Sequence, residues 1–320
     1  MAIGLDVGGT KIMGGVVSAD GRIIDRVLAP TPASDDEAAT LASITQVIDE
    51  LRTRHPRVKA IGVGAAGLVE WPEGYIRFAP NNAYRNLPLR ALLQNATGLP
   101  TVVDNDANVA ACAEARFGAE LARQDMVLLT VGTGIGGGLV LNGEVFRGAS
   151  GLGGEVGHLI VDPDGDRCGC GNVGCLEAMA SGSTLGRYGR QAAMADPNGR
   201  LAQLAGAPEQ VNGEIVFQAA READPTACAL FDRVGFWLGV GIASLVTIFD
   251  PQLVVLSGGL AETGDLLLDP ARASLQQFVF AREHRELPQL VVARLGLDSG
   301  VIGAATLALH QWHPRSVTVT

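Results

Sequence analysis

The sequence predicts an α/β protein built from two duplicated domains. Strand and helix patterns alternate from the N-terminus onward, which points to sheets flanked by helices. An opening of strand, glycine-rich turn, strand, tight turn and strand occurs twice, and a shift of 124 residues lays Asp6 on Thr130, Gly8 on Gly132 and Gly14 on Gly138. The order of elements repeats along with the glycines, the mark of an internal repeat. Domains duplicated in this way suit a ligand held in the cleft between them.

AIGLDVGGTKIMGGVVSADGRIIDRV reads as three strands, the first two joined by the glycine turn and the last two by Asp20-Gly21, a favoured two-residue hairpin connection. Leu41, Ile44, Val47, Ile48 and Leu51 have helical spacing across 40–54, and VKAIGVGAAG follows as a strand ending in a loop. A helix over 87–97, the strand TVVDNDAN and a helix from about Ala107 to Phe117 complete the first half. MVLLTVGTGIGGGLVLNGEVFRG then repeats the opening, with Asn142-Gly143 as its tight turn. Residues 192–225 are the least periodic and are assigned only to helices and surface loops. PQLVVLSGGL has the continuous apolar run of a strand buried on both faces and ends in Gly258-Gly259, while QLVVARLGLDSGVIGAATLAL reads as one more strand and a closing helix.

The chain has 320 residues, 47% hydrophobic and 18% charged, the composition of a globular protein with room for two ordinary domains. A net charge of −10 argues against non-specific binding to nucleic acid or to an anionic membrane, both of which need a basic face. The longest uncharged apolar run, Gly235 to Phe249, falls short of the roughly 18 to 20 residues that span a bilayer and reads as a buried helix. MAIGLDVGGT has neither the basic region nor the apolar stretch of an export signal, so a cytoplasmic protein is expected. Five cysteines, an odd number, do not suggest disulfides, and Cys112 and Cys228 sit in apolar, helix-like surroundings.

Gly8-Gly9-Thr10-Lys11 and Gly132-Thr133-Gly134 each follow a buried strand, where glycines let successive N–H groups converge on an anion. Either alone is as readily a tight turn or bulge. Three glycine turns in one duplicated framework favour a polyphosphate ligand. Of 24 basic residues only Lys11 and Lys59 are lysines, and one of them lies in the first turn. Asp6, at the end of the first strand, is placed to hold Mg²⁺ directly or through its waters, or simply to satisfy turn N–H groups. No GxxxxGK[ST] occurs, and the first glycine turn leads to a strand instead of a helix, which excludes the P-loop and Rossmann patterns.

HLIVDPDGDRCGCGNVGCLEAMASG places three of the five cysteines within eight residues. His158, Cys168, Cys170 and Cys175 form a four-ligand set for structural zinc, with free thiols or a redox pair as the alternatives. A metal there would pin the loop so that Glu155, His158 and Glu177 face one place as hydroxyl receptors.

LDVGGTK, AAG, APN, DNDAN, TVGTGIGGG, GEVGH, CGCGNVGCLE, ASG and LSGG stand in the order found in the ROK family of sugar kinases, repressors and open-reading-frame proteins. The chain resembles that family over nearly its whole length, most closely the actinobacterial-type ATP-dependent glucokinases. The resemblance implies an actin-like ATPase (ribonuclease H-like) fold. It gives a smaller N-terminal domain over 1–117, a larger C-terminal domain over 118–300 carrying the zinc loop, and a last helix, about 301–312, returning to the first domain. It implies ATP with Mg²⁺, structural Zn²⁺ and transfer of phosphate to the 6-hydroxyl of glucose. The shared motifs do not exclude the alternatives fructose, allose, N-acetylglucosamine and N-acetylmannosamine, because the 2-substituent is read by pocket shape. Asp106 is then the general base, and Gly67, Asn81, Asn105, Glu155, His158 and Glu177 bind the sugar, with Asn82 a rival to Asn81. Helix N-capping is the competing role for Asp104 and Asp106. The phosphates lie on Gly8, Gly9, Thr10 and Lys11 and on Gly132, Thr133 and Gly134, with adenosine against Gly258 and Gly259. The family's repressors carry a helix-turn-helix domain ahead of the sugar domain, for which the first phosphate turn at Gly8 leaves no room, so a sugar-responsive regulator is the less expected class. Polyphosphate-using relatives resemble members without the cysteine cluster. A homo-oligomer, dimer or tetramer, is expected, with no nucleic acid or membrane partner.

Overall fold

A computed structural model of the chain describes residues 1–32, 36–79, 85–118 and 125–312. The opening meander is β1 (Ala2–Val7), β2 (Lys11–Val17) and β3 (Ile23–Pro30). After it come α1 (Glu37–Arg54) and β4 (Ile61–Ala65), then the short strands β5 (Leu68–Glu70), β6 (Tyr75–Phe78) and β7 (Arg85–Leu87). The first half closes with α2 (Leu89–Thr97), β8 (Thr101–Asn105) and α3 (Asp106–Ala113), which runs into a π-turn over Glu114–Gly118.

The repeat begins with β9 (Met126–Val131), β10 (Ile135–Leu141) and β11 (Glu144–Phe146). The helices α4 (Leu176–Ala180), α5 (Gly182–Ala195), α6 (Arg200–Ala205), α7 (Gly213–Arg221) and α8 (Pro225–Phe249) follow. The chain ends its described part with β12 (Leu253–Ser257), α9 (Asp265–Phe278), β13 (Gln289–Val292) and α10 (Ser299–Trp312).

Two five-stranded sheets have one topology, in the orders β3-β2-β1-β4-β8 and β11-β10-β9-β12-β13. In the first, β1 is antiparallel to β2 and parallel to β4, which is parallel to β8. In the second, β12 runs parallel to both β9 and β13. The glycine repeat read in the sequence is therefore a repeat of strand order. β5, β6 and β7 form a further antiparallel sheet that the sequence analysis did not foresee, because strands of three or four residues carry too few alternations to register.

The chain divides into two compact units, 1–124 with 138–154 and 294–320, and 125–137 with 155–293. The single division expected near residue 118 differs from this grouping, in which the segment 138–154 belongs with the N-terminal residues. In the first unit, Ile3, Leu5 and Val7 of β1 are fully buried with Ile44, Ile48 and Leu51 of α1. Ala2 and Val109 cluster with Val301, Ala304, Ala305 and Ala308 of α10. That helix lies so close that a Cβ on Gly4 would overlap the Val301 carbonyl, one on Gly62 the Ala304 carbonyl, and one on Gly303 the Val109 carbonyl. Backbone cannot move aside as a side-chain tip can, so Gly62→Ala is expected to cost about 3 kcal/mol, read as a lower urea midpoint.

At the end of α3, the buried carboxylate of Glu114 accepts hydrogen bonds from Leu295 N at 2.7 Å and Arg294 N at 3.2 Å, tying the lead-in of α10 to this unit. In the second unit, α8 is long and apolar enough to cross a bilayer on length and composition alone. Its Phe231, Val234, Leu238, Ile242 and Val246 are buried, and Gly235 and Gly239 admit α9 at close range, which makes it the central helix of that unit.

Candidate active site

In the first unit, β1 delivers Asp6 to the edge of the turn formed by Gly8, Gly9 and Thr10. Gly8 N donates to Lys11 O at 3.0 Å, and Thr31 reaches back twice, its hydroxyl to Gly8 O at 2.7 Å and its N–H to Thr10 O at 3.0 Å. The exposed N–H groups of Gly9 and Thr10 have no hydrogen-bond partner among the described residues, which leaves two donors for an anion. Burial, with the Asp106 charge adding and Lys11 opposing, pushes the Asp6 carboxyl up to about 6. Gly300 in the first turn of α10 lies against that carboxylate, where a Cβ would come within 2.9 Å.

Asp106 is the first residue of α3, and Asn105 before it is the cap. The Asn105 Oδ1 accepts from Ala107 N at 2.8 Å and Asn108 N at 3.2 Å, while its Nδ2 donates to Gly67 O at 3.1 Å. Capping, weighed for the two aspartates from the sequence, thus falls mainly to the asparagine between them. Asp104 is buried against other partners, and the Asp106 carboxylate accepts from Ala107 N at 2.9 Å and from the Asn105 side chain. Desolvation raises the Asp106 carboxyl above the ordinary carboxylate range. Gly67 holds φ at 117°, in the region that favours glycine, against the Phe78 carbonyl. Asp6, Asp106, Asn105, Gly67 and the first glycine turn are thus all in one unit; Asn81 and Asn82 lie outside the described residues.

In the second unit, β9 ends in a turn closed by Gly132 N donating to Gly134 O at 3.0 Å, and Gly182 N at the start of α5 donates to Gly132 O at 2.7 Å. The N–H groups of Thr133 and Gly134 have no partner among the described residues. Glu177, in α4, accepts from Ile135 N at 3.0 Å through Oε2, and its Oε1 lies 3.6 Å from Cys168 Sγ. It therefore bridges the second glycine turn and the cysteine loop, a link that its expected role as a sugar receptor did not include. Gly258 and Gly259 follow β12, where Leu260 N donates to Val131 O at 3.0 Å.

The cysteine loop brings its four expected ligands together, with their ligand atoms all within 4.8 Å of one another. His158 Nδ1 is 3.7 Å from Cys168 Sγ, and the sulfurs of Cys170 and Cys175 are 3.6 Å apart. Tetrahedral bonds of about 2.3 Å to sulfur require edges of roughly 3.8 Å, so the set is near the right size. Cys168 and Cys175 are buried and Cys170 is exposed. Backbone bonds fold the loop: Cys168 N to Asn172 O at 2.8 Å, Val161 N to Gly174 O at 2.8 Å. Gly174 is held at φ 72° with its α-carbon against the Asp162 carbonyl, a place no side chain fits. Glu155 stands at the head of the turn over Val156–His158.

Two supports escaped the sequence reading. Asp166 accepts from Tyr188 OH at 2.6 Å and Arg187 at 2.9 Å, fastening the loop to α5. Arg147 pairs with Asp104 at 2.8 Å. Neither has a local pattern; DND marks Asp104 but says nothing of a partner 43 residues on.

Residues 2–311 match the sequence profile of the ROK family. The chain belongs to the ROK family. This ROK chain is 39% identical to a glucokinase from Streptomyces coelicolor over 96% of its own length and 97% of that protein. Its structure is similar to that of a ROK family glucokinase from Streptomyces griseus in complex with glucose and AMPPNP, with 40% identity, a TM-score of 0.85 and coverage of 97% of this chain and 99% of that one. A ROK hexokinase from Thermus thermophilus matches at 38% identity and a TM-score of 0.81, over 97% and 98% of the two chains. The paired sheets of the ROK chain are those of the actin-like ATPase fold.

Proposed function

We propose that this ROK chain is a glucokinase, transferring the γ-phosphoryl group of ATP to the 6-hydroxyl of glucose. The observation that carries the reading is the full-length likeness to the Streptomyces griseus enzyme solved with glucose and AMPPNP. Phosphoryl transfer asks the protein mainly for positioning and charge stabilisation, with a carboxylate to take the nucleophile's proton. In this reading the Asp106 carboxylate accepts the proton of the 6-hydroxyl as that oxygen bonds to the γ-phosphorus, and the bond from phosphorus to the bridging oxygen breaks to release ADP. Its raised pKa makes it a better base than an exposed aspartate. Asn105, its Nδ2 donating to Gly67 O and its side chain also bonded to the Asp106 carboxylate, stands beside the base as a contact for neighbouring sugar hydroxyls. Gly67, one of Asn81 and Asn82, Glu155, His158 and Glu177 complete the sugar set. The paired donors at Gly9–Thr10 and Thr133–Gly134 take phosphates, Lys11 adds charge, and Gly258-Gly259 lies against adenosine.

Asp6 fits a Mg²⁺ role: its desolvated carboxylate has no hydrogen-bond donor among the described residues. Bound with ATP, the cation neutralises phosphate charge. His158, Cys168, Cys170 and Cys175 fit structural zinc by the spacing above, and zinc would supply rigidity alone. Nδ1 of His158 faces the sulfurs, so zinc held there would leave Nε2 as the ring's N–H donor for a sugar oxygen, and one ring would serve as ligand and receptor. A cytoplasmic setting accords with the use of ATP, and a homo-oligomer is supported by the exposed Phe278 and Phe280 of the second unit.

A coupled assay over glucose, mannose, fructose, allose, N-acetylglucosamine and N-acetylmannosamine, with ATP and then polyphosphate as donor, tests the reading. Glucose with ATP is expected to give the highest kcat/KM. A higher value for any other sugar, or for polyphosphate, would replace it.

A further inference from the structure

We propose that Arg147 is a positioning residue for phosphoryl transfer, acting through the buried carboxylate of Asp104 to fix the turn that carries Asn105 and Asp106. The inference rests on the kinase reading only for its effect on turnover; the clamp itself is a matter of this unit's geometry.

Asp104 is the penultimate residue of β8, with a side chain only 1% exposed, and its Oδ1 holds the start of α3. Its Oδ1 accepts from Asn105 N at 2.8 Å and from Asn108 Nδ2 at 3.0 Å, the residues on either side of Asp106. Its Oδ2 accepts from Arg147 Nε at 2.8 Å. Asn108 turns its Nδ2 to this carboxylate although its Oδ1, also buried, is left without a partner among the described residues, so the charge on Asp104 dictates the orientation of that amide.

Such a carboxylate holds its negative charge out of water only against a fixed cation. Arg147 is fixed from three sides. Its guanidinium carbon lies 3.8 Å from the centre of the Trp71 ring, its NH1 donates to Val145 O at 3.0 Å, and its own carbonyl accepts from Gly153 N at 2.9 Å. A planar guanidinium stacks and donates at once, which a lysine ammonium does not. Because Asp106 sits between the two groups that Asp104 holds, loss of the cation would tilt the first turn of α3 without removing any group that touches substrate. Small misplacement of a base is costly to the rate.

The test compares Arg147→Met, which keeps an apolar stem on Trp71, with Arg147→Lys and with Asp104→Asn/Arg147→Met, which removes both charges. Arg147→Met is expected to lower kcat about 30-fold with the KM for glucose changed less than about threefold. The double variant is expected to recover at least part of that loss, and Arg147→Lys to lie between Arg147→Met and the parent chain. Loss of melting temperature with unchanged kcat for the folded fraction would make Arg147 merely structural and overturn the proposal, as would a double variant worse than the single one. Amide hydrogen exchange of the ligand-free chain gives a readout independent of turnover. Asn105, Ala107 and Asn108 are expected to exchange at least about tenfold faster in Arg147→Met; unchanged protection refutes the clamp even if the parent chain proves to phosphorylate no sugar. Should Arg147→Met fail to fold, Trp71→Leu, which leaves the ion pair intact, is expected to give the same pattern at smaller amplitude, and no change in either readout would count against the proposal.

Discussion

Asp106→Ala is expected to lower kcat for glucose phosphorylation by about 10³-fold, the usual contribution of a general base, while glucose binding measured by calorimetry stays detectable. Its side chain is the carboxylate of the DNDAN turn without an ion-pair partner, since Asn105 supplies the main cap of α3 and Asp104 is committed to Arg147. Asp106→Asn discriminates further, because it keeps the shape and deletes the basicity; comparable losses in both variants locate the effect in proton acceptance. The pH profile has a definite sign. The folded-state pKa of Asp106 is raised by desolvation, so the carboxylate is available only above that raised value, and kcat falls as pH drops through it. The acid limb of the parent enzyme therefore lies above the ordinary carboxylate range of about 3.9. Turnover in Asp106→Ala equal to that of the parent would remove the residue from this role.

Cys170→Ser is expected to release the metal from a chain that otherwise binds about one zinc, and to raise the KM for glucose by about 10–100-fold. Cys170 is the exposed member of the set, so the substitution adds no void to the core and the effect reads on the ligand sphere. The loop has other fastenings, the Asp166 contacts with Tyr188 and Arg187 among them, so the second unit stays folded while Glu155 and His158 lose their fixed orientation. Chelation of the parent chain should reproduce the loss, and added zinc should reverse it there but not in the variant. Metal content by mass spectrometry equal to the parent's would contradict the ligand set.

The features legible in the sequence were those that geometry restricts to few residue types at short spacing. Turns that bring backbone donors together leave glycines behind them, and a tetrahedral site built from one loop leaves cysteines within eight residues. The duplicated strand order could be read because both copies kept the same glycines. Features made by pairing across long stretches of chain left no trace. Arg147 is one of 22 arginines, and nothing near it in the sequence points to Asp104. The same holds for Glu114, whose acceptor role is completed by backbone N–H groups 180 and 181 residues later. Asn105 shows a different limit: one amide caps α3 through its oxygen and donates to Gly67 O through its nitrogen, and a residue type cannot disclose how its atoms are divided.

The seat of α10 on β1 and β4 bears on how the chain matures during synthesis. Gly4 and Gly62 are made early but meet their partner carbonyls on Val301 and Ala304 only after almost everything else has been translated. On the ribosome, one face of the first sheet thus waits uncovered while the second unit emerges whole, so the nascent N-terminal half is the stretch with most need of a chaperone.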